Sequence, residues 1–227
     1  MDVVYPYKAR PYDLELRFSL RSLRYMDHGQ VIIAGDFPGH LGSRQVRYVP
    51  VRRVSNRYRS STENIFTAAR LAVKTDKFVV MNDDIFLLEP WTFVHENRGT
   101  IEEYLASGQP KGPYREHVER TRDILIAHGV DDPLWFGLHT PTVYERTKLI
   151  ELVKDFEGER YLLRTLYHNL FPQPSRRRDD VKRREWCDEP TGDVLSISDQ
   201  CAWLPAFRAW ISERFPQPSP YEAPSKA

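Results

Sequence analysis

Apolar positions along this chain fall into two periods. Short continuous runs at 3–5 (VVY), 31–34 (VIIA) and 78–81 (FVVM), with a looser run at 46–51, have the pattern of buried strands. Between them the period lengthens. Leu16, Leu20 and Leu23 recur at i, i+4 and i+7, and Ile65, Ala68, Ala69 and Ala72 mark one face of a second helix. Asp13 stands where a cap for the first helix belongs, and Ser60 with Glu63 forms a capping box for the second. Pro6 is expected to stop the first strand. The order strand, helix, strand, strand, helix, strand predicts a mostly parallel α/β sheet flanked by helices. Ligands gather at the carboxyl ends of such strands. Asn82-Asp83-Asp84 follows the most apolar strand and is therefore expected on a binding edge.

The second half is less regular. Helices are predicted at 100–107 and 114–128, stopped by Gly108 and Gly129, and again at 143–156 and 159–167. Strands are predicted at 135–139 and 193–197, with an Arg-rich loop at 172–185 between the later elements. Asp199 is read as the cap of a final helix that carries Trp203, Phe207, Trp210 and Ile211 on one face. From Phe215 a Pro-rich tail should lie extended over the surface.

Composition narrows the class. The 227 residues are 41% apolar and 12% aromatic, which excludes a disordered chain. The strand-like apolar runs are four residues long, against about 20 for a membrane span. Met1 leads into Asp-Val-Val-Tyr with no basic segment, and Cys187 and Cys201 are the only cysteines. The expectation is a cytoplasmic, single-domain protein with no membrane partner.

Net charge is +1, unevenly spread. Residues 44–59 hold six Arg and no acid, and 176–184 hold six Lys/Arg and two Asp. Such runs suit a polyanion or a phosphorylated ligand, and equally a solvated surface.

Candidate chemistry centres on Asp83 and Asp84. Adjacent carboxylates after a buried strand are costly unless their charge is offset, and a divalent cation such as Mg²⁺ or Mn²⁺ offsets it well. The alternative is a turn held by Asx hydrogen bonds. The apolar run at 85–88 favours a position at the edge of the core. Arg17, Arg21 and Arg24 form a stripe beside the buried face of the first helix, either solvated or reaching phosphates. Tyr5 and Tyr7 end the first strand and either frame a base or pack in the core. His139 follows an apolar stretch and is a third metal ligand, a general base or a core histidine.

Four blocks carry a resemblance. ELRFSLRSL (15–23) resembles the signature of phage-type glycosyltransferases and of Stealth-type sugar-phosphate transferases. FVVMNDDIF (78–86) is similar to their second block, with its DxD-like acidic motif. His139-Thr140-Pro141 with Arg164 resembles the third, and FPQPSPYE (215–222) the closing motif of the phage-type proteins. The blocks come in the same order and span most of the chain. The stretch 99–132 and the Arg-rich loop lie outside the resemblance.

The resemblance implies a GT-A-like domain with a nucleotide-sugar-binding half at 1–98, a helical acceptor half at 99–214 and a tail at 215–227. It implies a nucleotide-diphospho-sugar donor, UDP-linked in the first instance, and a divalent metal, Mn²⁺ or Mg²⁺, with Asp84 as principal ligand and Asp83 as its partner. Asn-Asp-Asp departs from a strict Asp-x-Asp, which leaves the direct ligand open. The short chain favours the phage-type branch. Arg164 becomes a phosphate clamp, Arg17 or Arg21 a phosphate contact, Asn64 a nucleotide contact, and Tyr5 and Tyr7 the base frame. His139 is the first candidate base and Asp199 the alternative. A phage protein of this kind would work in host cytoplasm, and its acceptor would be a hydroxymethylated pyrimidine in DNA. Arg52, Arg53, Arg57, Arg59, Arg176, Arg177 and Arg178 would then grip the duplex, with Tyr48, Tyr58 or Trp186 filling the gap left by a flipped base. Two other readings stand beside this one, a Stealth-type sugar-1-phosphate transferase and a non-enzymatic DNA-binding accessory protein.

Overall fold

The computed structural model describes residues 1–10, 13–42, 46–52, 54 and 57–223, the side chain of Arg57 excepted. Along the first half run β1 (Asp2–Tyr7), α1 (Leu14–Ser22), β2 (Val31–Gly35), β3 (Arg47–Pro50), α2 (Arg57–Leu71), β4 (Lys77–Val80), β5 (Ile85–Leu87) and β6 (His95–Asn97). Then come α3 (Ile101–Ala106), α4 (Gly112–Ala127), β7 (Thr142–Glu145), α5 (Arg146–Asp155) and α6 (Leu163–Leu170). The chain closes with β8 (Ser175–Arg177), β9 (Lys182–Arg183), β10 (Val194–Ile197), α7 (Asp199–Ala202) and α8 (Pro205–Arg214).

The main sheet has the order β3-β2-β1-β4-β7. Its first four strands are mutually parallel and β7 is antiparallel to β4. This is the mostly parallel α/β domain that the apolar runs predict. Pleating sends alternate side chains to opposite faces. Val4, Ile32, Phe78 and Val80 pack with Ile65, Ala68 and Ala69 of α2, while Val3, Tyr5, Ile33 and Val79 pack with Leu16, Leu20 and Leu23 of α1. Both faces are covered, which is why these strands read as unbroken apolar runs. A smaller sheet, β5-β10-β9, shares a third apolar cluster with Phe207 and Ile211 of α8.

Local signals held where no long-range partner competed. Thr100 and Glu103 form a reciprocal capping box on α3, and α4 ends before Gly129 as expected. Elsewhere the tertiary structure overrode them. Pro6 lies within β1 because β4 pairs with β1 only as far as Val4. Pro6 turns its nitrogen toward β4, as Val4 does, but beyond the end of that ladder, so no hydrogen bond is forfeited. The second helix begins before Ser60, whose hydroxyl donates to the Val54 carbonyl instead of capping. The stretch 135–139 forms no strand; the Leu138 amide turns back to the Phe136 carbonyl at 2.8 Å. Residues 143–156 divide into a strand and a helix, because Val143 and Tyr144 pair with Val79 and Phe78 at the sheet edge. The helix expected at 159–167 starts at Leu163, and the Arg-rich loop contains β8 and β9. Pro205 splits the last helix in two, and Ser198, not Asp199, caps the first piece. Among the described residues no helix is long and apolar enough to cross a membrane.

Candidate active site

Where β4 leaves β1, the Met81 amide donates to the Val4 carbonyl at 3.0 Å, and the chain turns through Asn82, Asp83 and Asp84 before re-entering as β5. The Ile197 amide holds the Asp84 carbonyl at 3.2 Å, which ties this turn to the end of β10 and brings Asp199 beside it. β1 ends at the same edge and leads to Arg10. The Arg10 guanidinium is 3.0 Å from Glu15, 2.7 Å from Asp199 and 3.6 Å from Asp83. Asp84 Oδ2 accepts from Lys182 Nζ at 2.7 Å. Four carboxylates thus gather around two cations.

That imbalance appears in the protonation of the acids. Burial, reinforced by the charge of Asp84 and opposed by Arg10, pushes Asp83 up to about 6. Burial also pushes Glu15 up to about 7, with Arg10 opposing and Asp83, Asp84 and Asp199 adding to it. Asp84 Oδ1 is buried and has no hydrogen-bond partner, a costly state for a carboxylate oxygen. A divalent cation fits this corner: the donors are hard oxygens, one of them is vacant, and two positive charges would balance the cluster. Among the described residues no three His, Cys, Asp or Glu side chains converge to hold an ion alone. Asp83 and Asp84 would be the chain's donors to such an ion, with water or ligand oxygens completing its shell.

On the other side of the turn, Asn82 lines a cleft of about 690 Å³ together with His139, Tyr144, Arg164 and Asp180. His139 Nδ1 lies 2.9 Å from Asp180 Oδ2, and the His139 amide donates to Asp180 Oδ1 at 3.2 Å. Burial alone would raise the Asp180 carboxyl. The hydrogen bonds and charge of His139 outweigh it and hold the group below the usual carboxylate range. A proton on Nδ1, shared with the carboxylate, leaves Nε2 as the basic nitrogen. Arg164 donates to the carbonyls of Leu138 and Thr140, at 2.6 Å for the latter, and so grips the backbone on both sides of His139.

The other expected residues divide. Tyr5 is fully buried, with its hydroxyl on Ser19, so it is a core residue and does not frame a ligand. Tyr7 is also buried and donates to Asp13. Asp13 in turn faces His40 at 3.2 Å and makes no side-chain cap on α1. Arg21 holds Glu222 through two bonds of 2.7 and 2.8 Å and donates to the Phe215 carbonyl, while Arg24 donates to the Arg214 carbonyl. That stripe clamps the C-terminal tail; Arg21 is half-buried there, while Arg24 and Arg17, the latter 3.8 Å from Glu222, stay exposed. Asn64 stands against Gly35 at the end of β2, its Nδ2 2.7 Å from where a Cβ would be. Asp199 is exposed and paired with Arg10.

The second basic run is not a free cationic surface. Arg176 and Arg178 bind Glu96, Arg178 also binds Asp193, and Arg177 meets Glu103 at 3.2 Å. In the first run Arg52 is exposed and Arg59 is 3.8 Å from Glu63, whereas Arg53 and the Arg57 side chain lie outside the described residues. Sequence reasoning missed Arg10, Glu15, Asp180 and Lys182. Glu15 opens the ELR motif and was legible there; Lys182 and Asp180 were hidden in a charge run, and nothing marked Arg10.

No family model matches the chain, and no curated protein matches it in sequence. Solved structures do match. An active-site mutant of LgtC superposes with a TM-score of 0.52 and 12% identity over 94% of this chain and 95% of that one. The galactosyltransferase LgtC in complex with donor and acceptor sugar analogues gives 0.51 and 12% over 95% and 94%. The chain has the GT-A fold of these proteins.

Proposed function

We propose that this protein is a glycosyltransferase that moves a sugar from a nucleotide-diphospho-sugar, UDP-linked in the first instance, to an acceptor hydroxyl. One observation carries the reading: Glu15, Asp83, Asp84 and Asp199 gather at the carboxyl ends of β1 and β4. They do so in a chain that shares its fold, along nearly its whole length, with an enzyme described in complex with donor and acceptor sugar analogues. Asp84 and Asp83 would hold Mn²⁺ or Mg²⁺, which when bound sets positive charge against the departing diphosphate. Lys182, on Asp84, adds a fixed positive charge at the same point. Arg10 keeps Glu15, Asp83 and Asp199 together, which favours Arg10-bound Asp199 as a structural partner over a base.

His139 is the base in this reading. Its Nε2 takes the proton of the acceptor hydroxyl as that oxygen bonds to the sugar's anomeric carbon. The bond from that carbon to the diphosphate oxygen breaks, and the electron pair leaves with the nucleoside diphosphate. Asp180 orients the ring, and Arg164 fixes the backbone that carries it. Arg164 is fully engaged by carbonyls, which supports a positioning role over a phosphate clamp. Asn64, at the end of β2, and exposed Arg17 are the remaining candidates for nucleotide contacts.

The test is product analysis with UDP-sugars and Mn²⁺. Release of nucleoside diphosphate, abolished by chelation and reduced about 100-fold or more in Asp84→Asn at unchanged melting temperature, is the expected result. Release of nucleoside monophosphate would point to sugar-1-phosphate transfer, and no turnover with any nucleotide sugar would remove the enzyme reading. A DNA acceptor has lost much of its support, because Arg176, Arg177 and Arg178 are each bound to a carboxylate. A log–log salt slope near −5 for duplex binding, as about six neutralised phosphates demand, would restore it.

A further inference from the structure

We infer that the cleft beyond Asn82 receives an acceptor bearing an anionic group, a phosphate or carboxylate carried on a sugar. The inference deepens the glycosyltransferase reading and rests on it. Besides Arg164, whose guanidinium is taken by the Leu138 and Thr140 carbonyls, the cleft wall holds three cations, Arg98, Lys111 and Arg184, against one carboxylate, Asp180. That carboxylate is occupied by His139.

The excess is not neutralised from behind. Lys111 and Arg184 are exposed and have no carboxylate partner among the described residues. Arg98 donates to a neutral acceptor, Gln109 Oε1, at 2.7 Å, with its guanidinium 5.9 Å from the Tyr104 ring centre. The contrast lies within one run of sequence: Arg176, Arg177, Arg178 and Arg183 all have acidic partners, and Arg184, facing the cleft, does not. A wall built for a neutral sugar needs hydrogen-bonding groups and ring faces, which Tyr104 and Tyr114 provide; uncompensated positive charge adds nothing to that task.

The two sides of the turn are also opposite in sign. Asp83 and Asp84 face the acid-rich corner, and Asn82 faces the cation-rich cleft. A metal-bound diphosphate is drawn to the first. A second anion is drawn to the second, and His139 stands in that wall. The volume, about 690 Å³, accommodates a sugar with a charged substituent.

The donor's own diphosphate is the other source of such an anion, and the experiment separates the two. Calorimetric titration of the full-length protein would compare glucose 6-phosphate and methyl glucuronide with methyl glucoside, without and with saturating UDP and Mn²⁺. The charged probes should bind at least about tenfold more tightly than the neutral one at low salt, with the gap narrowing at about 0.3 M NaCl. They should still bind with UDP present. Lys111→Gln/Arg184→Gln, two exposed positions, should remove most of the preference and leave UDP affinity unchanged. Equal binding of charged and neutral probes, no binding of either charged probe, or a preference untouched by the double substitution would overturn the inference. So would displacement of the charged probes by UDP, which would give the cleft to the donor. Binding needs no turnover. A protein that keeps the charge preference but transfers no sugar would sink the enzyme reading alone.

Discussion

His168 gives a stability prediction that depends chiefly on burial. Its ring is 4% exposed and enclosed by His95, Phe136, Tyr144 and Tyr167. Its Nδ1 has no hydrogen-bond partner. Burial, with the nearby charges of His95 and Arg164, pushes the imidazole from 6.5 down to about 3. Above pH 6.5 the ring is neutral in both the folded and the unfolded chain, and the full stability is present. As the pH falls below 6.5 only the unfolded chain takes up the proton, so stability is lost progressively down to the folded value. At about pH 5 the loss is about 2 kcal/mol, at 1.36 kcal/mol per pK unit. For a chain of this length that lowers the melting temperature by about 4–8 °C. Other groups titrate over the same range, and raised Glu15 acts with the opposite sign. The informative quantity is therefore a difference between two proteins. Urea unfolding followed by circular dichroism, at pH 7.5 and pH 5, would be measured for the parent and for His168→Phe. Phe removes the titration and the unpartnered nitrogen while keeping an aromatic ring in the box. The parent should lose about 2 kcal/mol more than the variant. Equal losses in the two proteins would mean that His168 titrates normally and that the aromatic enclosure is not closed.

Three other outcomes are expected. Arg21→Ala leaves Glu222 and the Phe215 carbonyl without their donor in a half-buried clamp; it should cost about 2–4 kcal/mol and open the tail to limited proteolysis. At Gly137 a Cβ would collide with the Trp135 ring, so Gly137→Ala should cost about 1–3 kcal/mol and shift tryptophan fluorescence as the ring leaves its stack on Tyr104. Asp180→Asn, a change at a residue that acts through His139, should lower transferase kcat about tenfold or more and displace the acidic limb of its pH profile, while melting temperature and donor affinity hold. An unchanged pH profile would assign Asp180 a structural role only.

The strands β1, β2 and β4, the helices α1 to α4 and the turn at Asn82 to Asp84 beyond β4 were legible in the letters, because each follows from a local period or from the end of an apolar run. Short continuous apolar runs between helical periods fit strands buried on both faces, and a pair of acids at the end of such a run is costly without a partner. The letters did not say which charge. Arg10 reaches Asp199 across 189 residues and Lys182 reaches Asp84 across 98. The edge strand β7 exists because β4 needs a neighbour, although its own residues continue into a helix. The arginines at 176–178 read as a patch for polyanions until β8 paired with β6 and set Glu96 among them. Arg17, Arg21 and Arg24 read equally as a solvated face or as a reach toward phosphates, until the tail folded back over α1 and took Arg21 and Arg24. A charge run fixes how much charge is present, and only the folded chain fixes which charges are already matched. The sequence therefore determined the scaffold and the place of the candidate site, and the tertiary structure decided which side chains near it are already matched by a partner.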